Sequence, residues 1–353
     1  MKIRLAILEK DENYLSRIVG TFNNRFSERL IIYSFTDLDT ALESLEKEKI
    51  DIFIASEEYK IDTEVIPKDC GFAYFVESSS LESLYDQRII CKYQKAELIY
   101  KEILGIYAEI SSSSKTHRIE QEGVSEVIVF MPVSGGVGCS TMAASCAIAL
   151  ARKGKKVLYL NLEQTGSSSL YFQAEGQFDL NDIIYSIKSR RSNLALKLES
   201  SVKKDTTGVA FYQTPKIALD IASLTEEDLQ QLIQELAVAS SYEYIIIDTD
   251  FSFDSRSMEI INQSRNVVLV SDGSEVANCK LQRTIEALKA MNENSNKAML
   301  SKFMLLYNKF SSKTGKTIEV GLKSLGGAPR YEGATIKQLT DRLSTLRVFD
   351  GLI

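Results

Sequence analysis

Ser134-Gly135-Gly136-Val137-Gly138-Cys139-Ser140-Thr141 is the stretch of this chain with the most chemical content. Glycines let successive backbone N–H groups converge on one anion, because no Cβ stands in the way. The apolar run from Val127 to Met131 ahead of it reads as a strand, and Ser140-Thr141 opens an apolar helix that continues through Ala151. A strand, a glycine turn and a helix N-terminus form an anion site, since the helix dipole favours negative charge there. Phosphate suits such a cradle, and the Ser140 hydroxyl is of the type that ligates Mg²⁺. Glycine turns before helices also serve packing, so the motif needs support from elsewhere in the chain.

Other strand-like runs supply it. Val157 to Asn161 is followed by Leu162-Glu163, so a buried strand ends in a polar, apolar, acidic triplet. Tyr244 to Ile247 ends in Asp248, the acid expected beside Mg²⁺, with Asp250 read as a turn residue. Asn266 to Ser271 is another run, and Phe303 to Tyr307 ends in Asn308-Lys309, an amide able to pair with a base edge and a cation. Buried strands with polar ends describe a parallel sheet with a nucleotide site along its carboxyl edge. Gly326-Gly327-Ala328-Pro329-Arg330 reads either as a cover for the base or as a surface loop. Residues 336–349 have helical amphipathic spacing and few cations, which favours packing on their own domain over membrane contact. Lys188-Ser189-Arg190-Arg191 reads as a solvated helix end.

The first 110 residues alternate strand-like and helix-like segments. Ile3–Leu8, Leu30–Tyr33, Ile52–Ala55, Phe72–Val76 and Arg88–Cys91 are expected strands, with helices over 13–26, 39–48 and 95–110. Residues at the strand ends are Glu9 and Asp11, then Ser56, then Glu77 and Ser78, then Lys92. This stretch resembles a response-regulator receiver domain. Glu9 and Lys92 match the family in position and type, whereas Lys10 stands at the second acidic position and Ser56 at the phospho-acceptor. A serine hydroxyl cannot replace the carboxylate that forms an acyl phosphate. The resemblance therefore implies a pseudo-receiver that docks or dimerises without taking phosphate.

Composition bounds the rest. At 353 residues the chain suggests two domains, and 44% hydrophobic with 25% charged residues excludes disorder. The serine-rich segment 111–125 is the expected linker, with His117 solvated inside it, leaving domains at 1–110 and 126–353. A single histidine argues against a histidine-based zinc site or a Ser-His-Asp triad. Five cysteines without a C-x-x-C pair fit reduced thiols of a cytoplasmic protein, and no run of apolar residues spans a membrane. Residues 1–125 hold 16 basic against 23 acidic side chains and residues 126–353 hold 26 against 25, so neither half has the basic excess of a nucleic-acid binder.

Residues 126–353 resemble the MinD/ParA branch of P-loop ATPases, and the two-domain order is similar to the TadZ/CpaE proteins of Tad (Flp) pilus assembly. The implied fold is α/β throughout: two doubly wound parallel-sheet domains, receiver-like (flavodoxin-like) and then a P-loop NTPase. The resemblance implies ATP and Mg²⁺ as cofactors. It puts Ser134, Gly135, Gly136, Val137, Gly138, Cys139, Ser140 and Thr141 around the phosphates, Asn308 near the base, Lys309 among the nucleotide-binding residues, Ser140 and Asp248 on the metal, and Glu163 at the water-polarising position. The family's two loop lysines fall on Ser134 and Cys139, and the first acid of its switch falls on Asn161. Loss of such cations suggests ATP binding with very slow or absent hydrolysis. The implied function is an ATP-stabilised homodimer that scaffolds pilus assembly or a type II/IV secretion-like machine, in the cytoplasm, recruited to a pole or to the inner membrane face. The alternative is an active partition or positioning ATPase that binds DNA or membrane. A thiol at a helix N-terminus is also expected to have a lowered pKa, making Cys139 reactive towards maleimide and protected by ATP, while Cys146 belongs to the core.

Overall fold

The computed structural model describes residues 2–352 apart from 79–80, 82, 112–123, 191–192, 240, 295–298, 312 and 314. His117 with most of the expected linker, and Arg191 of the charged cluster, lie outside the described residues. The chain divides into two units, Met1–Thr116 with Ser189–Ser201, and His117–Lys188 with Val202–Ile353.

The first unit begins β1 (Ile3–Leu8), α1 (Glu12–Arg25), β2 (Leu30–Phe35), α2 (Leu38–Lys47), β3 (Ile52–Ser56), β4 (Gly71–Val76), β5 (Ile89–Cys91) and α3 (Ala96–Ile110). Its sheet has the order β2-β1-β3-β4-β5, parallel throughout. Every residue of β3 is buried, as a parallel strand covered on both faces requires. Leu15, Ile18 and Phe22 of α1 and Ile99, Ile103 and Leu104 of α3 cover one face. Ala41 and Leu45 of α2 cover the other. The Asp11 carboxylate accepts from the Asn13 and Tyr14 N–H groups and Asp37 accepts from Thr40, so each helix starts where its first orphan donors find an oxygen.

The second unit runs β6 (Glu126–Pro132), α4 (Cys139–Arg152), β7 (Val157–Asn161) and α5 (Leu180–Ser189). After α6 (Leu194–Ser201) follow β8 (Lys203–Lys204), β9 (Ala210–Phe211), α7 (Ala218–Ala222), α8 (Glu226–Ala239) and β10 (Tyr244–Asp248). Then come α9 (Ser255–Gln263), β11 (Asn266–Ser271), α10 (Glu275–Asn294), β12 (Phe303–Phe310), β13 (Lys323–Pro329) and α11 (Ile336–Leu343). The sheet order is β13-β12-β11-β6-β10-β7-β9-β8, with only the β8–β9 pair antiparallel. The chain leaves β6 for β7 on one side and later reaches β11 on the other, which opens a crevice at the carboxyl ends of the central strands. Gly326 to Pro329 form part of β13, paired with β12, so they are a strand of the sheet and not a loop. The C-terminal segment packs on α4: Leu343, Phe349 and Leu352 are buried with Ala147 and Leu150. A capping box between Thr335 and Gln338 starts α11. Among the described residues no helix is long and apolar enough to cross a membrane.

One element departs from the sequence reading. Residues 189–201, expected within 126–353, belong to the first unit. Leu196 packs against the core that α3 helps to form, and the Asn193 N–H donates to the Ala108 carbonyl at 2.9 Å. Lys197 reaches Glu109 at 3.3 Å and Arg29 faces Glu199 at 3.6 Å.

Candidate functional site

The loop after β6 has the backbone a phosphate cradle needs. Gly136 and Gly138 have φ of +79° and +80°, the left-handed region in which a Cβ is strained. Gly138 is the N-cap of α4, and a Cβ there would stand 2.6 Å from Asn308 Nδ2. The loop is therefore held from β12: Asn308 Nδ2 donates to the Val137 carbonyl at 2.8 Å and Lys309 Nζ to the Gly136 carbonyl at 2.8 Å. The sequence reading puts Asn308 at a base edge, whereas the structure ties its amide nitrogen to the loop.

Beside the loop lies a polar cluster drawn from three strands. Asp248 ends β10, opposite Asn161 of β7 and Phe130 of β6. Its Oδ2 accepts from the Tyr159 hydroxyl at 2.7 Å and from Asn161 Nδ2 at 3.0 Å, while its Oδ1, fully buried, has no hydrogen-bond partner. Glu163 Oε2 accepts from the Ser140 hydroxyl at 3.0 Å and from Asn161 Nδ2 at 3.4 Å. Burial, and then the charge of Glu163, raises the Asp248 pKa well above the usual carboxylate range. Burial chiefly raises that of Glu163 too, against the Ser140 and Asn161 hydrogen bonds that lower it. A buried carboxylate oxygen without a donor, a hydroxyl and a second carboxylate are the hard oxygen set that Mg²⁺ takes, so these residues fit that ion.

Sequence reasoning misses two contributors. Tyr159 stands two residues before Asn161, on the same face of β7, and that period was the available signal. Gly166 closes the cluster from its loop: a Cβ there would fall 2.5 Å from Asn161 Oδ1 and 2.7 Å from Glu163 Oε2.

Cys139 requires a correction. It is 5% exposed, and burial together with the carboxylates of Asp248, Glu163 and Asp250 raises its thiol pKa well above the ordinary value. Desolvation and three acids outweigh the helix dipole. Burial and a raised pKa both disfavour the thiolate, so Cys139 is expected to resist maleimide, the opposite of what its helix N-terminus alone suggests. Among the five cysteines, Cys279 is exposed, Cys91 is half-buried and the other three are buried. Labelling of the native protein is expected to give one fast phase, removed by Cys279→Ser, with Cys139 modified only on unfolding. Fast modification of Cys139, read by peptide mass, is the contrary result.

In the first unit, Glu9, Ser56 and Lys92 do come together. Lys92 Nζ lies 2.7 Å from Glu9 and 3.2 Å from Ser56 Oγ, all three residues buried. Lys10 turns outwards to Glu58 at 3.4 Å. One carboxylate, already paired with its lysine, and one hydroxyl make no acceptor for an acyl phosphate. Elsewhere in this unit, Glu102 on α3 is 7% exposed, accepts from Gln94 Nε2 at 3.0 Å and leaves its Oε2 without a partner. Burial pushes its pKa up to about 7.

Comparison with known proteins agrees with this geometry. The model of a TadZ-like receiver domain matches residues 1–108, and that of an AAA domain matches residues 125–301. The flagellum site-determining protein YlxH of Helicobacter pylori is 26% identical over 162 residues, 43% of this chain and 50% of that protein. The chain thus spans about half the length of this curated relative. A ParA family ATPase from Chlorobium tepidum superposes with a TM-score of 0.51 at 20% identity, over 65% of this chain and 96% of that one. The MinD cell division protein of Aquifex aeolicus gives 0.49 at 17% identity, over 65% and 96%. With half of its length matched by that model, the chain belongs to the AAA-domain family and has a TadZ-like receiver domain in front.

Proposed function

We propose that the second unit binds Mg-ATP and holds it without appreciable turnover, so that the chain acts as an ATP-stabilised dimeric scaffold that positions a pilus-assembly or type II/IV secretion-like machine. The observation that carries this reading is a loop with its donors intact and its two expected cations replaced. The backbone N–H groups from Gly135 to Ser140 would surround the phosphates, with Ser134 and Thr141 at the two ends. Ser140 and Asp248 would hold Mg²⁺, which supplies charge neutralisation at the phosphate oxygens. Ser134 and Cys139 carry no charge for the transferring group, and Glu163, hydrogen-bonded to Ser140, is the one acid left to orient a water. Each missing charge-assisted hydrogen bond weakens ATP binding by ~1.5–3 kcal/mol, roughly 10- to 100-fold, and weakens the transition state at least as much.

The domain order, a TadZ-like receiver before the ATPase, supports the assembly role, as does the site-determining name of the Helicobacter pylori relative. The buried Glu9–Lys92 pair leaves the pseudo-receiver as a docking or dimerisation module. Calorimetry with Mg-ATP, light scattering and a turnover assay on the same protein test the proposal. Micromolar binding with a shift to dimer is the expected result. Turnover of ~1 per second or faster would overturn it.

A further inference from the structure

The loop lacks both lysines, yet an ammonium sits beside it. Lys309 Nζ donates to the neutral Gly136 carbonyl, and no carboxylate among the described residues pairs with it. Arg152, Lys153, Lys155 and Lys188 of this unit sit on carboxylates, and Lys203 and Arg256 on backbone carbonyls elsewhere; Lys309 is set apart by the carbonyl it holds, which belongs to the glycine loop.

The backbone is bent to bring Lys309 there. Adjacent residues of a regular strand point to opposite faces, so Asn308 and Lys309 could not both reach one loop. The pairing of β12 with β13 shifts register between Tyr307 and Phe310, and Lys309 adopts a φ of +54°. That region is uncommon for a residue with a long side chain. Irregularities of this kind re-aim side chains next to sites. Here the result is convergence: Asn308 reaches Val137 and Lys309 reaches Gly136. A Cβ on Gly138, the N-cap of α4, would stand 3.3 Å from Lys309 Cε and 3.8 Å from Nζ. The ammonium thus lies beside the N-terminus of α4, at the glycine loop.

We propose that Lys309 binds the phosphate chain of the nucleotide, standing in from β12 for the lysine that Cys139 replaces. On binding, the ammonium exchanges the Gly136 carbonyl for an anionic phosphate oxygen, a charge-assisted contact worth roughly 10- to 100-fold in affinity. The ligand class is a nucleoside di- or triphosphate, and the proposal rests on the ATP-binding reading above.

The test is calorimetry on the full chain with Mg-ATP, inorganic tripolyphosphate and adenosine as probes. Lys309→Gln is expected to weaken ATP and tripolyphosphate roughly 10- to 100-fold and to leave adenosine unchanged. Lys309→Arg keeps most of the affinity, and Cys139→Lys added to Lys309→Gln regains it, because it returns a cation to the loop without restoring the bond to Gly136. Equal binding by wild type and Lys309→Gln overturns the role of Lys309 while the ATP-binding reading stands. A loss shared by adenosine, or no rescue by arginine, assigns the lysine to propping the loop and overturns the proposal likewise. If wild type binds neither ATP nor tripolyphosphate, both readings fall together.

Discussion

An Asp248→Asn chain is expected to bind nucleotide without any dependence on Mg²⁺, a weakening on the order of 100-fold or more at saturating metal. The magnitude follows from the several kcal/mol that a divalent ion supplies at phosphate oxygens. Asparagine fits the position without rebuilding it. Its Oδ1 can accept from the Tyr159 hydroxyl or from Asn161 Nδ2, as the Asp248 carboxylate does now. What it cannot do is offer a second anionic oxygen of the kind that Asp248 Oδ1 presents without a partner. Melting curves of the ligand-free chain should show the variant folded, and calorimetry with and without Mg²⁺ gives the comparison. Persistence of the Mg²⁺ dependence in Asp248→Asn would count against the metal assignment.

Glu102→Gln is expected to stabilise the first unit by about 3 kcal/mol at about pH 8 and by almost nothing at about pH 4. The sign follows from the direction of the shift. Burial raises the Glu102 pKa from 4.5 to about 7, so the folded protein keeps this proton after the unfolded chain has released it. Stability therefore falls as pH rises from about 4.5 to about 7 and is level above that range. Glutamine is neutral throughout and its carbonyl can still accept from Gln94. Thermal unfolding of the full chain across this range reads the effect, and the same gain at both ends would sink the attribution to Glu102 ionisation.

The sheet cores were legible because their signals are local. Val127 to Met131 and Tyr244 to Ile247 are apolar runs bounded by turn residues, and a strand buried on both faces has little other pattern to show. Gly136 and Gly138 were legible as a turn because few other residues adopt their φ. Glu9, Ser56 and Lys92 followed from the rule that chemistry sits at strand ends. The environment of Cys139 was not legible, because it depends on acids from β10 and the loop after β7, far away in sequence. Nor was the bend at Lys309, since nothing in Asn308-Lys309-Phe310 announces a register shift. The short helix α6 carried a readable apolar pattern, but its partner α3 lies about ninety residues earlier and no local property names it.

Asn161 shows how the replacements fit one another. With an acid there, three carboxylates would crowd the site. The amide instead donates to both Asp248 and Glu163, so a neutral donor ties the two carboxylates together without adding a charge.

The position of α6 also sets an order of events at the ribosome. The first unit is complete only when residues 189–201 have joined residues 1–116, so a nascent chain that has finished α3 still lacks the helix that covers it. About 90 more residues must be made, roughly 5–18 s at ordinary elongation rates. Through that interval the sheet of the first unit and its helices α1, α2 and α3 are already made, and α6 is expected to dock last, from within the sequence that builds the second unit.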